Sequence, residues 1–282
     1  MRRTRIFTTL VAVGTLGLTL AAVAMAATIT GTDNGEHLRG TNQADTIDGK
    51  GGRDKIQAFA GDDIVTGGTQ GDFILAGPGV DNVSGDDGWD LILGGNGNDA
   101  ALNGNNGRDR IHGGDGDDNI DGGPQDDQLW GGSGADTTNG GDGNDRIAGG
   151  NGNDTSYGGP GNDRIFANLG VDTSYGGPGN DDLWALARGD VNKDVPLDTT
   201  GDTLTGGEGD DTFHTRDGEV DTVNCGPGND RALLDTVDVI ADATPENPNG
   251  SCETVERSAP QSKDKKQHSE LNDDKGSRRD NS

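Results

Sequence analysis

Aspartate returns in this chain at a step of nine. Asp45, Asp54, Asp63, Asp72, Asp81, Asp90 and Asp99 keep that step, and after a one-residue insertion Asp109, Asp118, Asp127, Asp136, Asp145, Asp154, Asp163, Asp172 and Asp181 resume it. Beyond a break, Asp202, Asp211, Asp221 and Asp230 continue with one further slip, and Glu36 in GTDNGEHLR is a worn copy ahead of the first. The chemistry open to such a series is that of hard oxygen donors. Carboxylates and the carbonyls of glycine-rich turns suit a divalent cation that takes about six to eight oxygen ligands in a flexible geometry, Ca2+ above all. Zinc is disfavoured, because His37, His112, His214 and His268 are scattered and Cys225 and Cys252 both lie near the end of the chain.

The elements that must position these carboxylates are short. The blocks GGDGDDNID, GGPQDDQLW, GGSGADTTN and GGDGNDRIA run without a gap from Gly113 to Ala148. Two residues after the aspartate stands an aliphatic side chain in most units: Ile47, Ile56, Val65, Ile74, Val83, Ile92, Ile111, Ile120, Leu129, Ile147, Ile165 and Leu183. Each unit therefore reads as a glycine-rich turn followed by a three-residue strand whose middle side chain points inward. Glycine permits the positive φ that such a turn needs. Two units make one circuit of a coil, so residues 18 apart stack on the same face of an all-β parallel solenoid.

Composition agrees and excludes alternatives. Of 282 residues only 28% are hydrophobic and 4% aromatic, while 52 are Gly, so a conventional core is not expected. Asp plus Glu number 50 against 22 Lys plus Arg, a balance that on its own leaves a chain disordered and repelling itself. Nucleic acid is a poor partner for a repeat region without a basic patch, and an Asp in every turn opposes phosphate binding. HExxH and GxSxG are absent, no Cys/His nucleophile pair is evident, and the repeats begin too soon to leave room for a catalytic domain, so the chain is not expected to be an enzyme.

The nonapeptide GGxGxDxUx, with U aliphatic, resembles the repeats-in-toxin (hemolysin-type) calcium-binding repeat. Eight turns match GGxGxD in full, beginning at Gly94, Gly113, Gly131, Gly140, Gly149, Gly158, Gly176 and Gly206, and the likeness covers about residues 31–240. It implies a parallel β-roll (β-helix solenoid) with several Ca2+ ions in its turns, held by backbone carbonyls and by each in-phase aspartate named above. Departures are expected to weaken individual sites: AFAG before Asp63, ANLG before Asp172, and Gln70 and Gln125 where the motif has glycine. One inward aliphatic per nine residues offsets little of the entropy of ordering them. Ion binding should then supply folding free energy, leaving the apo chain largely unfolded.

Residues 1–26 resemble a secretory signal peptide, with Arg2, Arg3 and Arg5, an apolar run from Ile6 to Val23, and Ala24-Met25-Ala26 as the cleavage site. A membrane anchor is the alternative, disfavoured by Thr8, Thr9, Thr15 and Thr19; no membrane span is expected after cleavage. Export would deliver weak sites to calcium-rich surroundings. In that compartment Cys225 and Cys252 read as a disulfide in preference to two free thiols. The expected organisation is a main β-roll over 27–184, an insertion loop over 185–199, a second repeat block over 200–256 closed by the disulfide as a cap, and a disordered tail over 257–282. The insertion's DVNKDVPLD matches only the first half of a calcium loop, with Val195 where Gly is required, and reads as a surface excursion.

Residues flanking the inward positions give the outer faces. One carries Phe73, Leu75, Leu91, Leu93, Arg110, His112, Gln128, Trp130, Arg146, Ala148, Arg164, Phe166, Asp182 and Trp184; the other is mostly polar, with Thr46, Asp48, Asn82, Ser84, Asn119, Asp121, Thr137, Asn139, Thr155, Tyr157, Thr173 and Tyr175. An exposed apolar stripe marks a contact surface for a protein, a glycan or a second copy, unless it reflects only the strand preference of such residues. Thr138, Ser156 and Ser174 fall at inward positions and should weaken the core. The function expected is that of a secreted calcium-binding structural or interaction module.

Overall fold

The computed structural model describes residues 25–185 and 201–258. Residues 1–24, 186–200 and 259–282, on which the expected signal peptide, insertion loop and tail wholly or largely fall, lie outside the described residues.

The described chain is a right-sized match to the nine-residue arithmetic: 24 strands alternate between two parallel sheets of 12, so every circuit contributes one strand to each. Thr28–Thr30 pairs with Thr46–Asp48 and His37–Arg39 with Lys55–Gln57, placing Ile29 on Ile47 and Leu38 on Ile56. The same step of 18 sets Ile111 on Leu129 and Ile147 on Ile165, all fully buried between the sheets. The alternation of buried and exposed residues along each strand is the pleat's period of two.

Two irregularities are absorbed without breaking the stack. The extra residue after Asp99 makes Leu91 pair with Arg110 and Asn82 with Ala101, one residue beyond the usual step, while Leu102 still reaches the interior. Across the insertion Thr173 pairs with Thr203 and Asp182 with Thr212. The coil thus resumes in register on its far side.

The turns keep their backbone even where the motif decays. Lys50, Phe59, Gln70, Asp86, Asn105, Gln125 and Asn168 all hold positive φ, between 67° and 86°, at places where the motif has glycine. Each such residue costs about 1–2 kcal/mol against glycine. The hydrogen bonds of the turns above and below impose the geometry regardless; Gly79 N–H donates to the Asn96 carbonyl and Gly97 N–H to that of Asp115.

The core divides where the inward hydroxyls were expected to weaken it. One cluster runs from Leu38 to Ile165 and another from Leu183 to Cys252. Between them Thr138, Ser156 and Ser174 are buried, and Thr138 Oγ1 donates to Ser156 Oγ at 3.0 Å. Three consecutive inward positions of one sheet thus add hydroxyls in place of aliphatic contact. Cys225 and Cys252 form a disulfide within the second cluster, Cα–Cα 5.3 Å.

The apolar stripe corrects one expectation. Phe166 and Trp184 are buried, not exposed, at 4% and 7% relative exposure. In a parallel stack like positions lie about 4.8 Å apart, so rings pile lengthwise and cover one another. Trp184 is sandwiched between Phe166 (6.0 Å between centroids) and His214 (3.5 Å), and the Arg146 guanidinium lies over Phe166. Trp130 stacks on His112 at 4.2 Å. Phe73, Leu75, Leu91, Leu93 and Trp130 are left half-exposed. On the polar face Tyr157 and Tyr175 stack at 5.0 Å and stay exposed.

Candidate metal centre

Because the turns stack, the in-phase aspartates line up in two buried rows, one along each edge of the coil. The first holds Asp45, Asp63, Asp81, Asp99, Asp118, Asp136, Asp154, Asp172, Asp202 and Asp221; the second holds Asp54, Asp72, Asp90, Asp109, Asp127, Asp145, Asp163, Asp181, Asp211 and Asp230. All twenty are buried. Within a row each aspartate's main-chain N–H donates to Oδ1 of the next: Asp118 to Asp136 at 2.8 Å, Asp136 to Asp154 at 2.9 Å, Asp127 to Asp145 at 2.7 Å. The insertion does not interrupt this, since Asp172 N–H reaches Asp202 and Asp181 N–H reaches Asp211.

The second oxygen is different. Oδ2 is buried without a hydrogen-bond partner at every in-phase position from Asp54 to Asp163, and again at Asp181, Asp211, Asp221 and Asp230. A buried polar atom left without a partner is costly, more so when charged. Its surroundings repeat as well. At Gly94, Gly113, Gly131, Gly140, Gly158 and Gly176 the point where a Cβ would stand lies within 2.6 Å of the Oδ2 five residues on and of the carbonyl oxygen of the first turn glycine one circuit on. A side chain at this position would fill the cradle. Glycine leaves it open, with an anionic and a neutral oxygen facing the same space.

A family model described as the RTX calcium-binding nonapeptide repeat matches residues 39–74, 66–100, 103–138, 119–147, 130–165, 149–183 and 198–232, well over half of the chain. The chain belongs to that family. No curated protein matches it. As an RTX repeat β-solenoid it is a calcium-binding structural module, of a fold that is typically structural rather than catalytic.

The oxygen chemistry of the RTX turns fits that ion. The donor set is oxygen throughout, and a cation in the cradle would neutralise the Oδ2 charge that no protein donor meets. Burial pushes these carboxyls upward: Asp72, Asp90, Asp99, Asp136, Asp163 and Asp211 to about 7, Asp127 to about 8, and Asp81, Asp109, Asp118, Asp145, Asp154 and Asp181 to about 6. Asp54, Asp63 and Asp230 are raised for the same reason. In each, the hydrogen bond from the N–H of the preceding member of the row, Glu36 for Asp54 and an aspartate for the others, pulls the other way.

At the start of the rows, still on the nine-residue step, Ala27 N–H donates to Asp45 and Glu36 N–H to Asp54 at 2.7 Å. At the far end, Asp221 N–H donates to Asp238 Oδ1 at 3.2 Å and Asp230 N–H to Glu253 Oε2 at 2.8 Å. Asp238 and Glu253 thus close the two rows from spacings of 17 and 23, which no fixed period reveals. Asp45 differs in that its Oδ2 accepts the Thr41 N–H. Asp217, Glu219 and Asp221 also bring carboxylate oxygens within 4.8 Å of one another.

Proposed function

We propose that this RTX protein is exported and folds outside the cell as it takes up several Ca2+ ions, serving there as a structural or interaction module without catalytic activity. The observation that carries this reading is the run of buried Oδ2 atoms without hydrogen-bond partners, most of them sharing a glycine cradle with a carbonyl; Ala58, Ala76, Arg216 and Cys225 stand in that glycine's place before Asp63, Asp81, Asp221 and Asp230. In the unfolded chain these carboxylates are hydrated; stacking them leaves charge that a bound cation or protonation must relieve, so at neutral to alkaline pH ion uptake becomes folding free energy. The proposed ligands are the twenty in-phase aspartates, Asp45 to Asp230. The leader-like residues 1–26 supply the export route, and the mM-range calcium outside cells suits weak extracellular modules.

Far-UV circular dichroism of the full chain in EDTA, titrated with Ca2+ to several millimolar and with Mg2+ as control, tests this. A cooperative gain of β signal with Ca2+ alone supports it. A folded spectrum in EDTA that ignores Ca2+ contradicts it.

A second reading, adhesion to itself, a protein or a glycan, is favoured by the half-exposed Phe73, Leu75, Leu91 and Leu93 side by side on one outer sheet, with Trp130 beyond His112 on the same sheet. Phe166 and Trp184 are excluded from that contact by burial. Phe73→Ser with Leu91→Ser should abolish calcium-dependent self-association in sedimentation while leaving the calcium-driven spectrum intact; association that persists removes this face from consideration.

A further inference from the structure

The turn Arg216–Asp221 departs from the repeat in a directed way. It reads RDGEVD, so Asp217 and Glu219 occupy two of the three glycine places of GGxGxD, and Asp221 keeps the in-phase aspartate. Side-chain carboxylates of all three lie within 4.8 Å of one another. Asp221 is fully buried and Glu219 93% buried, while Asp217 sits half-buried at the rim.

The segment one circuit on adds two more acids, Asp235 and Asp238, and both are buried. Their roles differ. Asp238 is spent on protein donors: Oδ1 accepts the Asp221 N–H, and Oδ2 accepts the Asp235 N–H at 2.7 Å and the Thr215 hydroxyl at 2.6 Å. Asp217, Asp221 and Asp235 instead share one pattern, with one oxygen pinned and the other unspent. Asp217 Oδ1 accepts the Glu219 N–H, Asp221 Oδ1 the Asp202 N–H, and Asp235 Oδ1 the Val237 N–H. Oδ2 of each is buried without a hydrogen-bond partner. For Asp221 and Asp235, with no measurable exposure, water does not relieve it.

Positive charge near this cluster is directed elsewhere. Arg216 donates to the Leu234 and Glu256 carbonyls and pairs with the Glu256 carboxylate; Arg257 donates to the Asp235 and Asp238 carbonyls. Both guanidiniums thus brace the backbone around the acids.

From this geometry we infer a divalent cation site of a different kind from the repeat turns, in which Asp217, Glu219 and Asp221, backed by Asp235, bind Ca2+ through side-chain carboxylates. A repeat turn offers one carboxylate and relies on carbonyls for the rest. Affinity for Ca2+ rises with the number of charged ligands, and this turn brings three carboxylates together where a repeat turn brings one, its aspartates being fixed by N–H bonds as those of the repeats are. The site is therefore the tightest in the molecule, and it lies where the coil meets its disulfide-bonded end, between Thr212–Thr215 and Thr222–Asn224. This rests on the calcium-binding reading above but makes a separate claim.

Equilibrium dialysis of the full chain against radiolabelled Ca2+ tests it. The unaltered protein should retain one ion at a free Ca2+ about tenfold or more below that which fills the remaining sites. The double variant Asp217→Asn, Glu219→Gln should lose that first ion and keep the others, with an unchanged circular dichroism spectrum at saturating Ca2+. If the double variant fails to fold even then, Asp217→Asn alone, at the half-buried rim, decides by the same loss. Unaltered protein that binds several ions with one affinity, and variants that match it, overturn this inference alone. Unaltered protein that binds no Ca2+ overturns this inference and the calcium-driven reading together.

Discussion

Replacing Asp136 with asparagine alters charge at one atom and leaves shape almost unchanged. Asp136 lies mid-coil in a turn that matches GGxGxD fully, and its Oδ1 accepts the Asp118 N–H at 2.8 Å, a bond the amide oxygen can keep. The amide nitrogen then takes the place of Oδ2, which has no hydrogen-bond partner and shares the Gly131 cradle with the Gly149 carbonyl. Without calcium the substitution removes an unsatisfied buried oxygen and offers that carbonyl a donor, so the apo fold should gain about 1–3 kcal/mol. With calcium the sign reverses. An ion held at about 100 times its dissociation constant contributes about 2.7 kcal/mol to folding, and an amide nitrogen cannot ligate it. The assay is folding of Asp136→Asn against the unaltered chain, followed by circular dichroism under two conditions: osmolyte-induced folding in EDTA, and urea unfolding in saturating Ca2+. The osmolyte midpoint should fall and the urea midpoint should fall too, meaning stabilisation in the first case and destabilisation in the second. A variant destabilised under both conditions would refute the reasoning, since it would show that Oδ2 serves the fold without an ion.

Acid should substitute in part for calcium. The repeat carboxyls stand at about 6 to 8 when folded against about 3.9 unfolded. The apo fold therefore holds more protons, and their contribution is present near pH 4 and lost as pH rises through about 6 to 8. In EDTA the β signal should grow on acidification from pH 8 to about pH 4.5, and Ca2+ binding near pH 6.5 should release protons to a pH indicator; a β signal that shrinks on acidification contradicts this. Removing the disulfide with Cys225→Ser and Cys252→Ser frees a loop of sequence separation 27 and should cost about 3–4 kcal/mol, read as a higher calcium midpoint for folding; an unmoved midpoint would mean that the cap is held by other contacts. Ser174→Val, facing Leu204 between the two core clusters, should stabilise the calcium-loaded protein by about 1 kcal/mol in urea unfolding, and a loss would mean that the hydroxyl is needed there.

The solenoid was legible because its two periods are independent and agree. Aspartates at nine and aliphatics two residues later fix both the turn and the inward position, so the pairing of Ile111 with Leu129 follows by counting. Counting fails where geometry, rather than spacing, makes the contact. Asp238 and Glu253 end the two rows from off-period positions, because the last turns are rebuilt around Arg216, Arg257 and the disulfide. Asp217 and Glu219 likewise carry no periodic signal, although acids at two glycine places of one turn are visible in the sequence. Decayed turns showed the reverse: Phe59 and Asn168 replace glycine yet hold its positive φ, since the neighbouring circuits dictate the backbone. Period two told inside from outside for Phe166 and Trp184 but not that rings stacked along a parallel sheet bury one another.

The most direct measurement is a crystal structure of the protein grown in Ca2+, with anomalous diffraction to identify the ions. Calcium peaks should lie within about 2.3–2.6 Å of Oδ2 of Asp118, Asp136 and Asp154, between successive turns and inside the glycine cradles. Oδ2 atoms that contact only water, with calcium absent or bound elsewhere on the surface, would contradict the claim that the repeat turns exist to hold the ion.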